Sequence, residues 1–250
     1  MAKSVIETLQ DHRTRRLFTD EPVSDDQLAE IITTAQRMPT SQYLQAYSLI
    51  EITKPALRQQ LAEITTMPTV GEHGRLFVVL ADQHRNVQLA PGATTRQALS
   101  EFDRFVGSIE DATLMTAAMV MVAESLGLGT VVLGSINNDT QAVIDALKLP
   151  DLTLPVFGLQ LGHPADVPEV KPRLGLSAVL FKDQYAEPTT YQDELTRFDG
   201  VLNQYYQHRS SHARTEHLAH MTAEATHLAD KRREFLNIAR RQGFLPELDH

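Results

Sequence analysis

One histidine and three arginines fall within five residues, HRTRR at 12–16, in a chain of formal net charge -9 at pH 7. Guanidinium forks match phosphate oxygens in pairs and stay charged at any working pH, and a histidine and a hydroxyl add donors. His12, Arg13, Thr14 and Arg16 can therefore surround a small phosphate; the other reading is surface ion pairs with Asp20, Glu21 or Asp25. VVLGS at 131–135 ends an apolar run at Gly134, where bare backbone amides would let a flat ring or a phosphate approach closely, although a plain strand-ending turn looks the same. PTSQYLQ at 39–45 offers hydroxyls and amides in a loop after a proline stop, which suits either a polar ligand or ordinary turn chemistry. Two further basic stretches, KPR at 171–173 and HRSSHAR at 208–214, would otherwise pass as solvated loops.

Composition narrows the chemistry. An acidic chain does not carry the extended basic face that non-specific nucleic-acid binding needs, so any bound anion should be small and locally held. Zero cysteines exclude a disulfide framework, a thiolate nucleophile, iron–sulfur clusters and thiolate zinc sites. Neither G-x-G-x-x-G, nor a P-loop, nor G-x-S-x-G occurs. His208, His212, His217, His220 and His227 lack an H-E-x-x-H pattern and read as a solvated helical face, so no metal site is expected. With no signal-like start and no run of about 18 apolar residues, the expectation is a soluble cytoplasmic protein.

These residues need elements to hold them. Val5, Ile6 and Leu9 share a helical face, and Ser24 opens a second helix that Pro39 ends. Residues 47–53 and 76–82 read as strands, with a helix at 55–64 between them that starts on proline. A long helix is expected from Leu99 to Leu126, apolar nearly all round from 112 on and closed by Gly127. A strand at TVVLGS, a helix at 138–150, a strand at 154–162 and a proline-punctuated loop leading to a last strand-like segment follow. From about 191 to 241 two polar helices broken near HRSSHA are expected. The whole is one domain, 1–250, with a helical extension from about 185. Alternating strands and helices would ordinarily suggest a doubly wound parallel sheet, but its glycine signature is missing.

HRTRRLFTDEPVS, TSQYLQ, ESLGLGTVVLGSINN and GHPADVPEVKPRL, in this order and spacing, resemble the FMN-dependent nitroreductase superfamily, in particular its NADPH-dependent oxygen-insensitive nitroreductase and flavin reductase branch. The resemblance spans nearly the whole chain. It implies an α+β fold with a mixed, mainly antiparallel sheet flanked by helices, a helical C-terminal excursion, and a homodimer with FMN near the subunit interface. It implies that His12, Arg13, Thr14, Arg16, Thr40, Ser41, Tyr43, Gln45, Met67, Val132, Leu133, Gly134, Ser135, Lys171 and Arg173 bind FMN, while Arg15 falls where the family is commonly apolar. It implies that Arg209 and Arg214 hold the 2′-phosphate of NADPH. Lys171 or Arg16 would supply positive charge near flavin N1; no side-chain acid or base is required, because flavin carries the hydride chemistry. Two positions depart from the pattern: Met67 stands where the branch usually has a glutamine, and Ser135 where it often has a second glycine. The implied activity is ping-pong transfer of hydride from NADPH to nitroaromatics, quinones or free flavin; a flavin-binding sensor or store without turnover, or a colourless anion-binding or helical adaptor protein, are the readings from other classes. The apolar helix 112–126 and the sparsely apolar tail add their own argument for a dimer, since a partner would bury them.

Overall fold

The computed structural model describes residues 2–227 and 230–249, which form two compact units: residues up to Asp166 together with those from Asp230 on, and residues Val167 to His227.

The first unit begins with two short helices, α1 (Val5–Gln10) and α2 (Asp25–Ala35). Each starts on a serine whose hydroxyl accepts from the backbone three residues on, while Glu7 or Gln27 reaches back to the serine's N–H. Next come β1 (Tyr47–Glu51), α3 (Pro55–Thr65), β2 (Arg75–Asp82), α4 (His84–Leu89), α5 (Ala93–Ser100), α6 (Phe102–Ser125), β3 (Gly129–Leu133), α7 (Thr140–Leu147) and β4 (Thr153–Gly162). The second unit carries α8 (Gln192–His208) and α9 (Leu218–Glu224). The chain then contributes α10 (Asp230–Arg233) and α11 (Phe235–Arg241) to the first unit.

The four strands form one sheet in the order β1-β2-β4-β3, antiparallel throughout. The parallel arrangement that alternation alone would suggest is not formed. β2 shows why its sequence is apolar without a break: Phe77, Val79 and Ala81 pack with α2 and α6 on one face, and Leu76, Val78 and Leu80 pack with α3 and α7 on the other. A strand buried on both faces reads as a continuous apolar run whichever direction its neighbours take. Helix α6 has the length and hydropathy of a membrane span, but it lays Ala112, Met115, Met119 and Ala123 against the sheet. After Leu126, Gly127 takes a φ of 86°, which only glycine adopts without strain, and turns the chain into β3.

Four local expectations are corrected. The helix expected from Leu99 to Leu126 is two helices, separated at Glu101, whose ψ is 157°. The break is stabilised from afar: Leu245 N–H donates to the Ser100 carbonyl, and Phe102 N–H donates to Glu247 Oε1. The strand-like segment before residue 182 forms only the 3-10 turn Leu176–Ala178, and Val179 and Leu180 stand 58% and 66% exposed. The second polar helix of the tail is three short helices, α9 to α11. Finally, the apolar face of α1 points outward, with Val5, Ile6 and Leu9 more than half exposed and Thr8 buried instead.

Candidate functional site

The HRTRR segment runs beside the outer edge of the sheet. Thr14 bridges to Thr130 of β3 in parallel, and Arg15 N–H donates to the Thr130 carbonyl at 2.9 Å. Arg15 crosses Gly129, where an added Cβ would meet its side chain at 2.6 Å, and donates to the Asp166 carbonyl. It is therefore occupied in tying the segment down. Arg16 is exposed and, among the described residues, makes no ion pair or hydrogen bond. Arg13 is half-buried, donating to the Asp11 carbonyl and pairing with its carboxylate. Asp25 pairs with Arg75 and Glu21 faces His163, while Arg13 pairs with Asp11.

Bridging to Thr130 brings His12, Arg13, Thr14 and Arg16 alongside the strand that ends in Val132, Leu133, Gly134 and Ser135. Leu133 is buried in the core, Val132 is 43% exposed, and the chain turns at Gly134 into a 3-10 segment. Ser135 Oγ lies 3.9 Å from Met67 Sδ, so the residue at the departing position borders the same turn. Arg232 of α10 is a neighbour that sequence reasoning missed: its Nη2 lies 3.8 Å from where a Cβ on Gly134 would stand, and its Nη1 lies 3.5 Å from Asn138 Oδ1. Next to it Lys231 pairs with Asp139. The signal was a basic run, DKRR, whose proximity to Gly134 only the return of the chain creates.

Thr40, Ser41, Tyr43 and Gln45 lie elsewhere. They form a turn in which Gln42, Tyr43 and Gln45 all take positive φ, at 50°, 61° and 49°. Such strained backbone persists only where its surroundings hold it. Here Asp111, 1% exposed, accepts from Ser41 N–H at 2.7 Å and Ala46 N–H at 2.9 Å, Gly107 leaves room for Ser41, and Arg85 donates to the Gln45 carbonyl. Tyr43 is 83% exposed, and the Thr40 hydroxyl is buried with no protein partner. The strand register separates this turn from HRTRR: Thr130 faces Leu161, which faces Arg75, whereas Tyr47 faces Ala81 six residues along β2. At ordinary strand spacing and rise the two blocks of one chain are roughly 25 Å apart.

Asp111 and Glu124 are the acids that bracket the apolar run of α6, and each supports one block. Glu124 accepts from the Thr130 hydroxyl at 2.6 Å and holds His12 Nδ1 at 2.9 and 3.0 Å. A carboxylate at each end of an otherwise apolar helix was the signal available for both.

Lys171, Arg173, Arg209 and Arg214 belong to the second unit. Lys171 and Arg173 are exposed, and Arg173 donates to the carbonyls of Lys171 and Pro172. Arg209 and Arg214 are brought together on Tyr206, with guanidinium carbons 5.5 and 4.2 Å from its ring centre. The buried Nε of Arg209 has no protein partner. Arg214 Nε donates to Glu216, which His220 Nδ1 also contacts at 2.7 Å. Hydrogen bonds first from His220 and then from Arg214 lower the Glu216 pKa to about 2, and the same carboxylate raises that of His220. Among the described residues no cluster of histidines and acids could hold a metal ion.

Fold and residues together define an antiparallel sheet flanked by helices, with a histidine- and arginine-bearing segment along its edge strand. Residues 9–163 match the model of the Nitroreductase family and residues 171–247 that of the Nitroreductase family C-terminal domain. The chain belongs to the nitroreductase family. It is 40% identical over 212 residues to the oxygen-insensitive NADPH nitroreductase of Salmonella typhimurium, a match covering 84% of this chain and 86% of the relative. It is 35% identical over 217 residues to the FMN reductase (NADPH) of Bacillus subtilis, covering 85% and 87%. Among solved structures, the NfrA1 nitroreductase of B. subtilis superimposes with a TM-score of 0.90 at 31% identity, covering 96% of this chain and 99% of that one.

Proposed function

We propose that this chain is an NADPH-oxidising, FMN-dependent reductase that passes hydride by a ping-pong reaction to nitroaromatics, quinones or free flavin. The observation that carries the reading is the seating of HRTRR against the strand that ends at Gly134, in a chain of the nitroreductase family. The donor set fits FMN. Guanidinium and imidazole groups on one segment suit its phosphate, and Arg232 Nη2, 3.8 Å from where a Cβ on Gly134 would stand, adds a further cation at the turn that ends β3. The unpartnered Thr40 hydroxyl suits a ligand hydroxyl.

In this reading His12, Arg13, Thr14 and Arg16 hold the phosphate. Val132 to Ser135 offer backbone to the ring, and Met67 packs at the ring edge, where a thioether supplies contact without an amide's hydrogen bonds. Lys171 and Arg173 complete the site, and Lys171 or Arg16 supplies the fixed positive charge near N1. Arg209 and Arg214 receive the 2′-phosphate of NADPH. Bound FMN supplies hydride acceptance and donation, and the protein supplies stacking geometry and electrostatics. The reading places the enzyme in the cytoplasm.

Two observations support a homodimer. The 40–45 turn is too far from HRTRR in one chain for both to touch one flavin, so a second copy would bring its own turn to the first copy's HRTRR. Exposed apolar side chains are also plentiful: Val5, Ile6 and Leu9 on α1, and Leu176, Val179, Leu180 and Tyr185 in the second unit. The test is the double variant R13A/R16A. Loss of two charge-assisted hydrogen-bonding groups should weaken FMN binding by about a hundredfold or more with the circular dichroism unchanged. Undiminished flavin content in the folded variant would refute the phosphate site.

A further inference from the structure

The FMN reading uses one nitrogen of His12 and leaves the other to explain. Nδ1 lies 2.9 and 3.0 Å from the two carboxylate oxygens of Glu124, whose side chain is only 12% exposed. Glu124 also accepts from the Thr130 hydroxyl at 2.6 Å, so its position is set by the strand against which HRTRR lies. An ionised carboxylate accepts hydrogen bonds and donates none, so Nδ1 carries a proton. Nε2 is then the only ring atom left for a ligand. A dianionic phosphate is likewise an acceptor, so a hydrogen bond from Nε2 requires a second proton on the ring.

Resting on the FMN reading, we propose that Glu124 is a positioning residue that holds His12 for double protonation, so that FMN binding draws one proton onto His12. An imidazole between two anions is cationic, and histidine is the side chain whose ordinary titration lies in the physiological range. The other charges around it do not take over Glu124's place. Lys3 pairs with Asp11 at 2.7 Å and Arg13 pairs with the same carboxylate, while Glu7 is engaged by Ser4. Hydrogen bonding from Lys3 holds Asp11 below the usual carboxylate range, and that from Ser4 does the same for Glu7. Arg15 is directed to the Asp166 carbonyl. Glu124 is thus the acid in contact with the ring.

The sign follows from linkage. Because binding draws a proton onto the ring, the complex holds more protons than the free protein, and affinity falls as pH rises. Above about pH 7 the phosphate is already dianionic, its second ionisation lying near 6, so it adds no slope of its own.

The experiment uses the full chain stripped of flavin, with FMN and riboflavin as probes and flavin fluorescence quenching from pH 7 to 9 as the readout. The FMN dissociation constant should rise with pH, approaching about tenfold per unit, and calorimetry in two buffers of different ionisation heat should show proton uptake. Riboflavin, which lacks the phosphate, should bind with a level profile. E124Q keeps the shape and removes the charge; it should bind FMN about tenfold more weakly at pH 7.5, with the rise beginning at lower pH. H12Q, which cannot titrate, should abolish the slope and serves if E124Q does not fold. A level FMN profile in the parent, an unaltered slope in H12Q, or an E124Q profile that coincides with the parent's overturns the proposal while leaving the FMN reading intact. Failure to bind either flavin overturns both.

Discussion

Residues up to Asp166 and the segment from Val167 to His227 differ in how large a core their apolar side chains build. In the first unit Leu76 to Ala81, Leu154, Leu159 and Leu161 are all buried to within 3% exposure or less, and α6 lies on the sheet with little solvent at the contact. In the second the core is Phe198, Leu202 and Tyr206, with Tyr205 and Leu218 packed around it, whereas Val167, Leu176, Val179, Leu180 and Tyr185 are 58–74% exposed. The first unit holds a large buried core, and the second holds a small one with much of its apolar side-chain surface exposed.

Substitutions can break that contrast. Leu159→Ala removes a fully buried side chain between the strands and α6 and should cost about 2–5 kcal/mol in urea unfolding. V179S/L180S should leave the secondary structure unchanged and weaken self-association by about tenfold or more, read by sedimentation equilibrium, because in the proposed dimer each side chain would lose burial against the partner. An equal loss of unfolding stability from both variants would erase the distinction between the units. Within the second unit, R214A should raise the KM for NADPH by about tenfold and leave that for NADH within about twofold, since a guanidinium on Tyr206 has a 2′-phosphate to meet only in NADPH.

The smallest effect is on pH. Glu216 is depressed to about 2, first by His220 and then by Arg214, so its contribution is present above the ordinary carboxylate range and is lost as pH falls toward 2. His220 is raised by Glu216, so its contribution is present below the ordinary imidazole value and is lost as pH rises through the raised one. Local order near Arg214 should therefore be greatest between about pH 4.5 and 6.5. Amide exchange across 214–220 measures this, and E216Q should flatten the profile.

What could be read from the sequence follows the same division. Local rules of capping and periodicity found the starts of α1 and α2, the turn at Gly127 and the apolar strand β2, because their causes lie within a few residues. The break at Glu101 was invisible, since the groups that complete it come from Leu245 and Glu247, more than a hundred positions on. The expected strand before residue 182 failed because apolar content alone cannot supply a neighbouring edge. On the site, residue chemistry picked out HRTRR and Gly134, and resemblance supplied the 40–45 turn, Met67 and the basic residues of the second unit. Glu124, Asp111 and Arg232 were not singled out, because their residue types were visible but their contacts arise only when the chain folds. The strain of the 40–45 turn was equally hidden, because positive φ at Gln42, Tyr43 and Gln45 is held by Asp111 from another element.

The most direct test is the visible absorption spectrum of freshly purified protein, recorded anaerobically before and after addition of NADPH and, separately, NADH. A bound-flavin spectrum that bleaches rapidly with NADPH and slowly with NADH is the predicted result. A colourless protein that takes up no added FMN, or a flavin spectrum that neither nucleotide bleaches, would contradict the account.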